Sequence, residues 1–298
     1  MNRCTQLLRI SLLLAIASAR FSFGSTMHPD LEMRIEMANQ QIELFPDDAG
    51  LYFERGQLNM QHEDWDGAVA DFERVLQLTP DFDGARVARG VALFKAGWVR
   101  SAKVVLDSYL QDYPEDATAL LTRGRALAAV GEHLQAARDL NRAILFVSDP
   151  KPDYYLELAG EYVLGGEEHV GDALKVIDAG IERFGPLVTL ELVAIDLEIK
   201  LARVDQALAR LDLVAAQSQR KERYFVRRGE ILEAAHRDGE ARSAYQAGLE
   251  AIDELPLRLQ RNKATKALQS QAREGLARLG QSVLDEHDRE NSISRPDD

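Results

Sequence analysis

The feature that most restricts this 298-residue chain is a recurrence. A shift of 34 residues carries Gly56 onto Gly90 and then Gly124, and Ala68 onto Ala102 and Ala136. The same shift carries Pro80 onto Pro114 and then Ser148. A small residue, a second small residue twelve later and a proline twelve after that describe a helical hairpin. Two antiparallel helices approach closely only where one presents almost no side chain, so Gly56 and Ala68 are expected at the crossing of helix A and helix B. Glycine inside a helix costs about 1 kcal/mol relative to alanine. Repeating it at Gly56, Gly90, Gly124 and Gly229 makes sense only if close packing more than offsets that cost. Pro80 and Pro114 cannot continue a helix and set the turn into the next unit.

Large apolar residues fill the remaining positions: Tyr52, Trp65, Phe72, Leu76 and Leu78 in the first unit, Leu93, Val99, Leu106 and Leu110 in the second. Each hairpin is apolar on two sides and cannot bury both alone. Stacked hairpins can, which predicts an all-α solenoid.

These residues resemble the tetratricopeptide repeat family. The resemblance rests on Tyr52, Gly56, Asp64-Trp65, Ala68, Phe72, Leu76 and Pro80, then on Gly90, Gly97, Ala102, Leu106 and Pro114. It continues through Gly124, Gly131, Ala136, Leu140 and Ala143. The chain departs from the family where a tryptophan is expected early in helix A, with Tyr52 and then Arg86 there, and where a leucine is expected before the glycine, with Arg55, Arg89 and Arg123. The resemblance implies a right-handed superhelical solenoid of antiparallel helix pairs that binds proteins rather than catalysing a reaction.

The expected order begins with a secretory signal at 1–23. Arg3 and Arg9 give a positive start, Ile10 to Ala19 an apolar run, and Ala17-Ser18-Ala19 a cleavage site. Cleavage after Ala19 would remove Cys4, the only cysteine, which suits an oxidising compartment. A secreted or periplasmic protein is therefore expected. An uncleaved membrane anchor and a cytoplasmic start at Met27 stay open as alternatives. Residues 29–48 read as a capping half-repeat, followed by repeats at 49–82, 83–116 and 117–150. Looser repeats follow at 152–187, 188–221 and 222–255, then a capping helix at 257–282 and a disordered tail at 283–298. The prolines at 150 and 152 mark a break between the third and fourth repeats.

The net charge of −13 disfavours nucleic-acid backbones, which call for basic patches. His62-Glu63-Asp64, Glu167-Glu168-His169 and Asp285-Glu286-His287-Asp288 are sequential turn or tail residues that do not converge as metal ligands. No phosphate loop, nucleophile elbow or HExxH pattern occurs, so neither cofactor nor enzyme activity is expected.

Arg55, Arg89, Arg123 and Arg228 all precede the repeat glycine. They could grip an acidic ligand, but Asp71 and Asp139 stand where they could pair with Arg55 and Arg123 inside the hairpin. Val105 takes that place in the second unit and leaves Arg89 available to a ligand. The expected protein-binding groove is the helix A row: Phe53, Gln57 and Met60, then Val87, Arg89, Val91 and Phe94, then Leu121, Arg125 and Ala128. Family members that hold a peptide carboxylate use lysine, asparagine and arginine in such places, and that clamp does not carry over. An apolar groove suits an amphipathic helix or an extended apolar segment. The competing reading makes several of these residues core between neighbouring hairpins. A protein or peptide partner is expected, with membrane contact only if the leader stays uncleaved, as in a structural subunit tethered to an envelope complex.

Overall fold

The computed structural model describes the backbone of residues 29–293 and the side chains of 30–280. The expected signal segment at 1–23 and the end of the expected tail, 294–298, lie outside the described residues. Every regular element among the described residues is helical. The chain divides into two compact units, 1–85 and 86–298.

The first unit holds α1 (Pro29–Leu44), α2 (Ala49–Gln61) and α3 (Trp65–Leu78). α1 is the half-repeat, packed on α2 through Leu31, Ala38 and Leu58. Aspartates start the hairpin helices: Asp48 accepts a bond from Gly50 N at 2.8 Å, and Asp64 one from Gly67 N at 3.1 Å. Each satisfies one backbone donor that a helix start leaves open. Phe72 is fully buried beside Gly56, where an added Cβ would lie 2.7 Å from its ring.

α4 (Asp83–Lys95) begins at the division. The second unit continues with α5 (Val99–Asp112), α6 (Ala117–Ala129), α7 (His133–Phe146), α8 (Pro152–Gly165), α9 (Val170–Phe184), α10 (Val188–Lys200), α11 (Val204–Ala216), α12 (Glu222–Ala234) and α13 (Asp238–Asp253). From α5 onward each of these helices packs on the next in order, as an unbroken stack requires.

At Gly124 the expected glycine–alanine crossing is present, with an added Cβ 3.4 Å from Ala136 O, and the repeat glycines also make room for large side chains. A Cβ on Gly90, Gly124 or Gly229 would meet Leu106, Leu140 or Tyr245, at 2.5, 3.0 and 2.6 Å. Each glycine therefore opens a slot for one large side chain on helix B, and the dispersion contacts of that side chain repay the helix penalty. The turn inside a hairpin also repeats. Glu63, Gly97, Gly131, Ala202 and His236 all adopt positive φ between 57° and 87°, with glycine at only two of the five. The fourth hairpin instead turns through Gly166 and a short 3-10 helix, Glu167–His169.

The C-terminal cap is in two pieces rather than one helix over 257–282. α14 (Leu257–Gln260) is a single turn, and α15 runs Lys263–Ile293, into the segment expected to be disordered. Asn262 Oδ1 caps α15 by accepting from Ala264 N at 2.9 Å. Tyr245 lies between the last hairpin and this helix, since a Cβ on Gly275 would come within 2.4 Å of its ring.

Candidate functional site

Three of the four arginines before the repeat glycines, Arg55, Arg123 and Arg228, are held by acidic partners. Arg55 on α2 forks onto Asp71 of α3, with Nη2 to Oδ1 at 2.6 Å and Nε to Oδ2 at 3.0 Å. Its Nη1 reaches back to Asn39 Oδ1 at 2.8 Å. Asn59 Nδ2 also donates to Asp71 Oδ2, at 3.0 Å. Arg123 repeats the pattern on Asp139 at 2.6 and 2.8 Å and on Asp107 at 3.1 Å. Bonds to Asp71 and Asp139 raise the two guanidinium pKa values above the ordinary range, although burial pulls the other way. Both acceptors lie sixteen residues from their arginine, one ahead and one behind. Arg228 has only the acceptor behind it, Asp212, at 2.7 Å.

The fifth hairpin reverses the polarity. Arg210 sits on helix B, three residues after Ala207, where Asp71 follows Ala68. It donates to Glu198 at 2.9 Å and Glu191 at 3.1 Å on helix A, and to Asp178 of α9 at 2.6 Å. Glu191 and Glu198 are each only 4% exposed. Burial pulls the Arg210 pKa down, but bonds to the two glutamates and the charge of Asp178 hold it above its ordinary value.

Arg89 is the exception in the ladder. Its Nε is buried without a hydrogen-bond partner, and Val105 occupies the place of the acceptor ahead. Among the described residues the only other such side-chain atom is Glu198 Oε2.

The helix A residues expected to form a groove fall into three groups. Leu121 is buried in a cluster with Leu106, Leu120 and Leu140, and Val87 packs on that cluster. Arg125 is bound to Glu157 of α8 at 2.8 and 2.9 Å, with its guanidinium 5.9 Å from the Tyr154 ring centroid. Phe53 is half-buried between Phe72 and Phe82, at centroid distances of 5.7 and 4.8 Å. Gln57 in the first unit is exposed and Met60 half-buried; in the second unit Val91, Phe94 and Ala128 are half-buried. Sequence reasoning missed Arg125–Glu157 because it compared positions within hairpins, whereas this pair ties successive A helices. Among the described residues no group of three metal-binding side chains converges, and no helix is long and apolar enough to cross a membrane.

Residues 59–125 match the family model of the tetratricopeptide repeat. The fold is similar to the C-terminal part of a TPR repeat-containing protein from Cytophaga hutchinsonii, with a TM-score of 0.59 at 16% identity. That alignment covers 76% of this chain and 95% of the other. A crystal structure of MamA protein gives a TM-score of 0.50 at 19% identity, over 59% of this chain and 94% of that one. No curated protein matches the chain. In its repeat residues and in its fold, then, the chain resembles the tetratricopeptide repeat proteins, a class of helical repeat scaffolds.

Proposed function

We propose that this chain is a non-enzymatic protein-binding scaffold or assembly factor of the secreted or periplasmic space, holding a protein or peptide segment along its A helices. One observation carries the reading. Arg55, Arg123 and Arg228 are neutralised by acidic partners, while Gln57 and Met60 in one unit and Val91 and Phe94 in the other keep accessible surface without charge. Each of these two surfaces suits an apolar segment, held by side-chain burial rather than by a carboxylate clamp. Arg89, half-buried and without an acceptor in its own hairpin, is the cation of the ladder left for a carbonyl or carboxylate of the bound segment. The compartment follows from the leader at 1–23, and a tethered envelope subunit is the alternative if that leader is retained.

The test is capture of a cross-linked partner by the purified protein, with and without Val91→Ala and Phe94→Ala. Loss of capture with an unchanged thermal melt supports the reading. Retained capture, or a melt lowered enough to account for the loss, contradicts it. Mass spectrometry of the protein's N-terminus decides the compartment: a start at Arg20 supports secretion, and an intact Met1 in the membrane fraction supports the tether.

A further inference from the structure

α1 is a helix B that lacks its helix A. The 34-residue register aligns Met37 with Asp71 and Met33 with Gly67. In the first complete hairpin both positions face helix A. Asp71 is 3% exposed and bonded to Arg55 and Asn59, and a Cβ on Gly67 would lie 3.2 Å from Asn59 Nδ2. On α1 the same positions carry apolar side chains into solvent, Met33 at 56% and Met37 at 49% exposed. Leu44 extends the stripe along the same face, and Phe45 follows it, both largely exposed. The packed face of α1 is the other one, with Leu31, Ala38 and Ile42 buried.

The stripe has a charged edge. Glu32, Glu36 and Glu43 each precede a stripe residue by one position, so they lie about 100° round the helix from it. Among the described residues no lysine or arginine pairs with them. Glu32 lies 3.9 Å from the His62 ring, and Glu36 accepts from Asn39 and Gln40. The opposite edge, Asp30, Arg34 and Gln41, is mixed. An acidic edge is repelled by anionic lipid and attracts cations. Methionines suit a surface that receives a separate helix, because their unbranched side chains adapt to its shape.

We propose that this face docks an amphipathic helix of a partner protein, apolar on one side and lined along one edge by lysine or arginine. The helix lies against α1 where a helix A lies in the complete hairpins. The acidic edge of Glu32, Glu36 and Glu43 is what selects this occupant, since it calls for a cationic edge beside an apolar face. This face is separate from the A helices proposed above, so the two readings stand or fall independently.

The test uses two labelled Leu/Ala/Lys and Leu/Ala/Glu peptides of about 18 residues, long enough to hold a helix once docked. They share one apolar face and differ only in the charge of the edge. Fluorescence anisotropy with the full protein should show the lysine-edged peptide binding about tenfold more tightly than the glutamate-edged one. Met37→Glu should weaken the lysine-edged peptide by about tenfold, the scale of one lost anchor, with the melt unchanged. The triple variant E32K/E36K/E43K should reverse the preference between the peptides. Equal binding of both peptides, or indifference to both variants, overturns the proposal. So does a benzophenone cross-linker installed in place of Met37 that labels residues 20–28 of its own chain, or a second copy, instead of the peptide.

Discussion

The first and fifth hairpins solve one problem with opposite charges. In α2–α3 a cation on helix A is held by Asp71 on helix B, and Asn59 completes the carboxylate. In α10–α11 the cation is Arg210 on helix B, and two nearly buried glutamates on helix A close on it. The comparison teaches that the repeat specifies a partly buried polar contact between its helices and leaves the sign free. It also predicts unequal fragility. Asp71 retains a neutral donor if its arginine is lost, whereas Glu191 and Glu198 share one cation.

Arg210→Met should therefore be the more damaging change. It leaves two buried carboxylates without a counter-charge, a loss of about 3–5 kcal/mol by chemical denaturation. Arg55→Met should cost less, about 2–3 kcal/mol, because the Asn59 amide still serves Asp71. Equal losses would break the comparison.

The last hairpin offers a smaller, pH-dependent version. Glu233 accepts from Arg278 of α15 at 2.6 and 2.8 Å and from Tyr245 at 2.6 Å. The Arg278 bonds hold its pKa below the ordinary 4.5, against an upward pull from burial. A carboxylate with a depressed pKa stabilises the fold above its unfolded value, and that contribution fades as pH falls through the folded one. Acid should therefore loosen α15 below about pH 4.5, seen as faster amide exchange over residues 263–280. Arg278→Gln should produce faster exchange already at neutral pH and remove most of the acid dependence.

The second hairpin gives the smallest effect and sharpens the comparison most. Val105→Asp supplies the acceptor that Arg89 Nε lacks, and should raise stability by about 1 kcal/mol while removing the one unmatched cation of the ladder. No change in stability would mean that Arg89 has no need of that partner.

The period, the all-helical class and the pairs Arg55–Asp71 and Arg123–Asp139 were legible because they depend on spacing within one hairpin. Contacts across hairpins were not. Asn39, Asp107 and Asp212 precede their arginines by sixteen residues, a signal present in the chain but visible only once helix B is known to pack on the following helix A. The bond from Arg125 to Glu157 is hidden for the same reason, since Glu157 lies 32 residues away. Arg210 is hidden by its reversed sign, because no arginine precedes a repeat glycine in the fifth hairpin. Left-handed turns at Glu63, Ala202 and His236 carry no glycine to announce them. The groove itself is only partly readable from residue type, because a leucine such as Leu121 looks the same in a groove and in a core.

The central claim is that the paired ladder arginines, Arg55 and Arg123, serve the hairpin and not a ligand. A double-mutant cycle on Arg123 and Asp139, read by chemical denaturation, tests it most directly. Arg123→Met and Asp139→Leu should each be strongly destabilising, the double variant should recover much of the loss, and the coupling should be about 1–3 kcal/mol. Additive losses with no coupling would contradict the account.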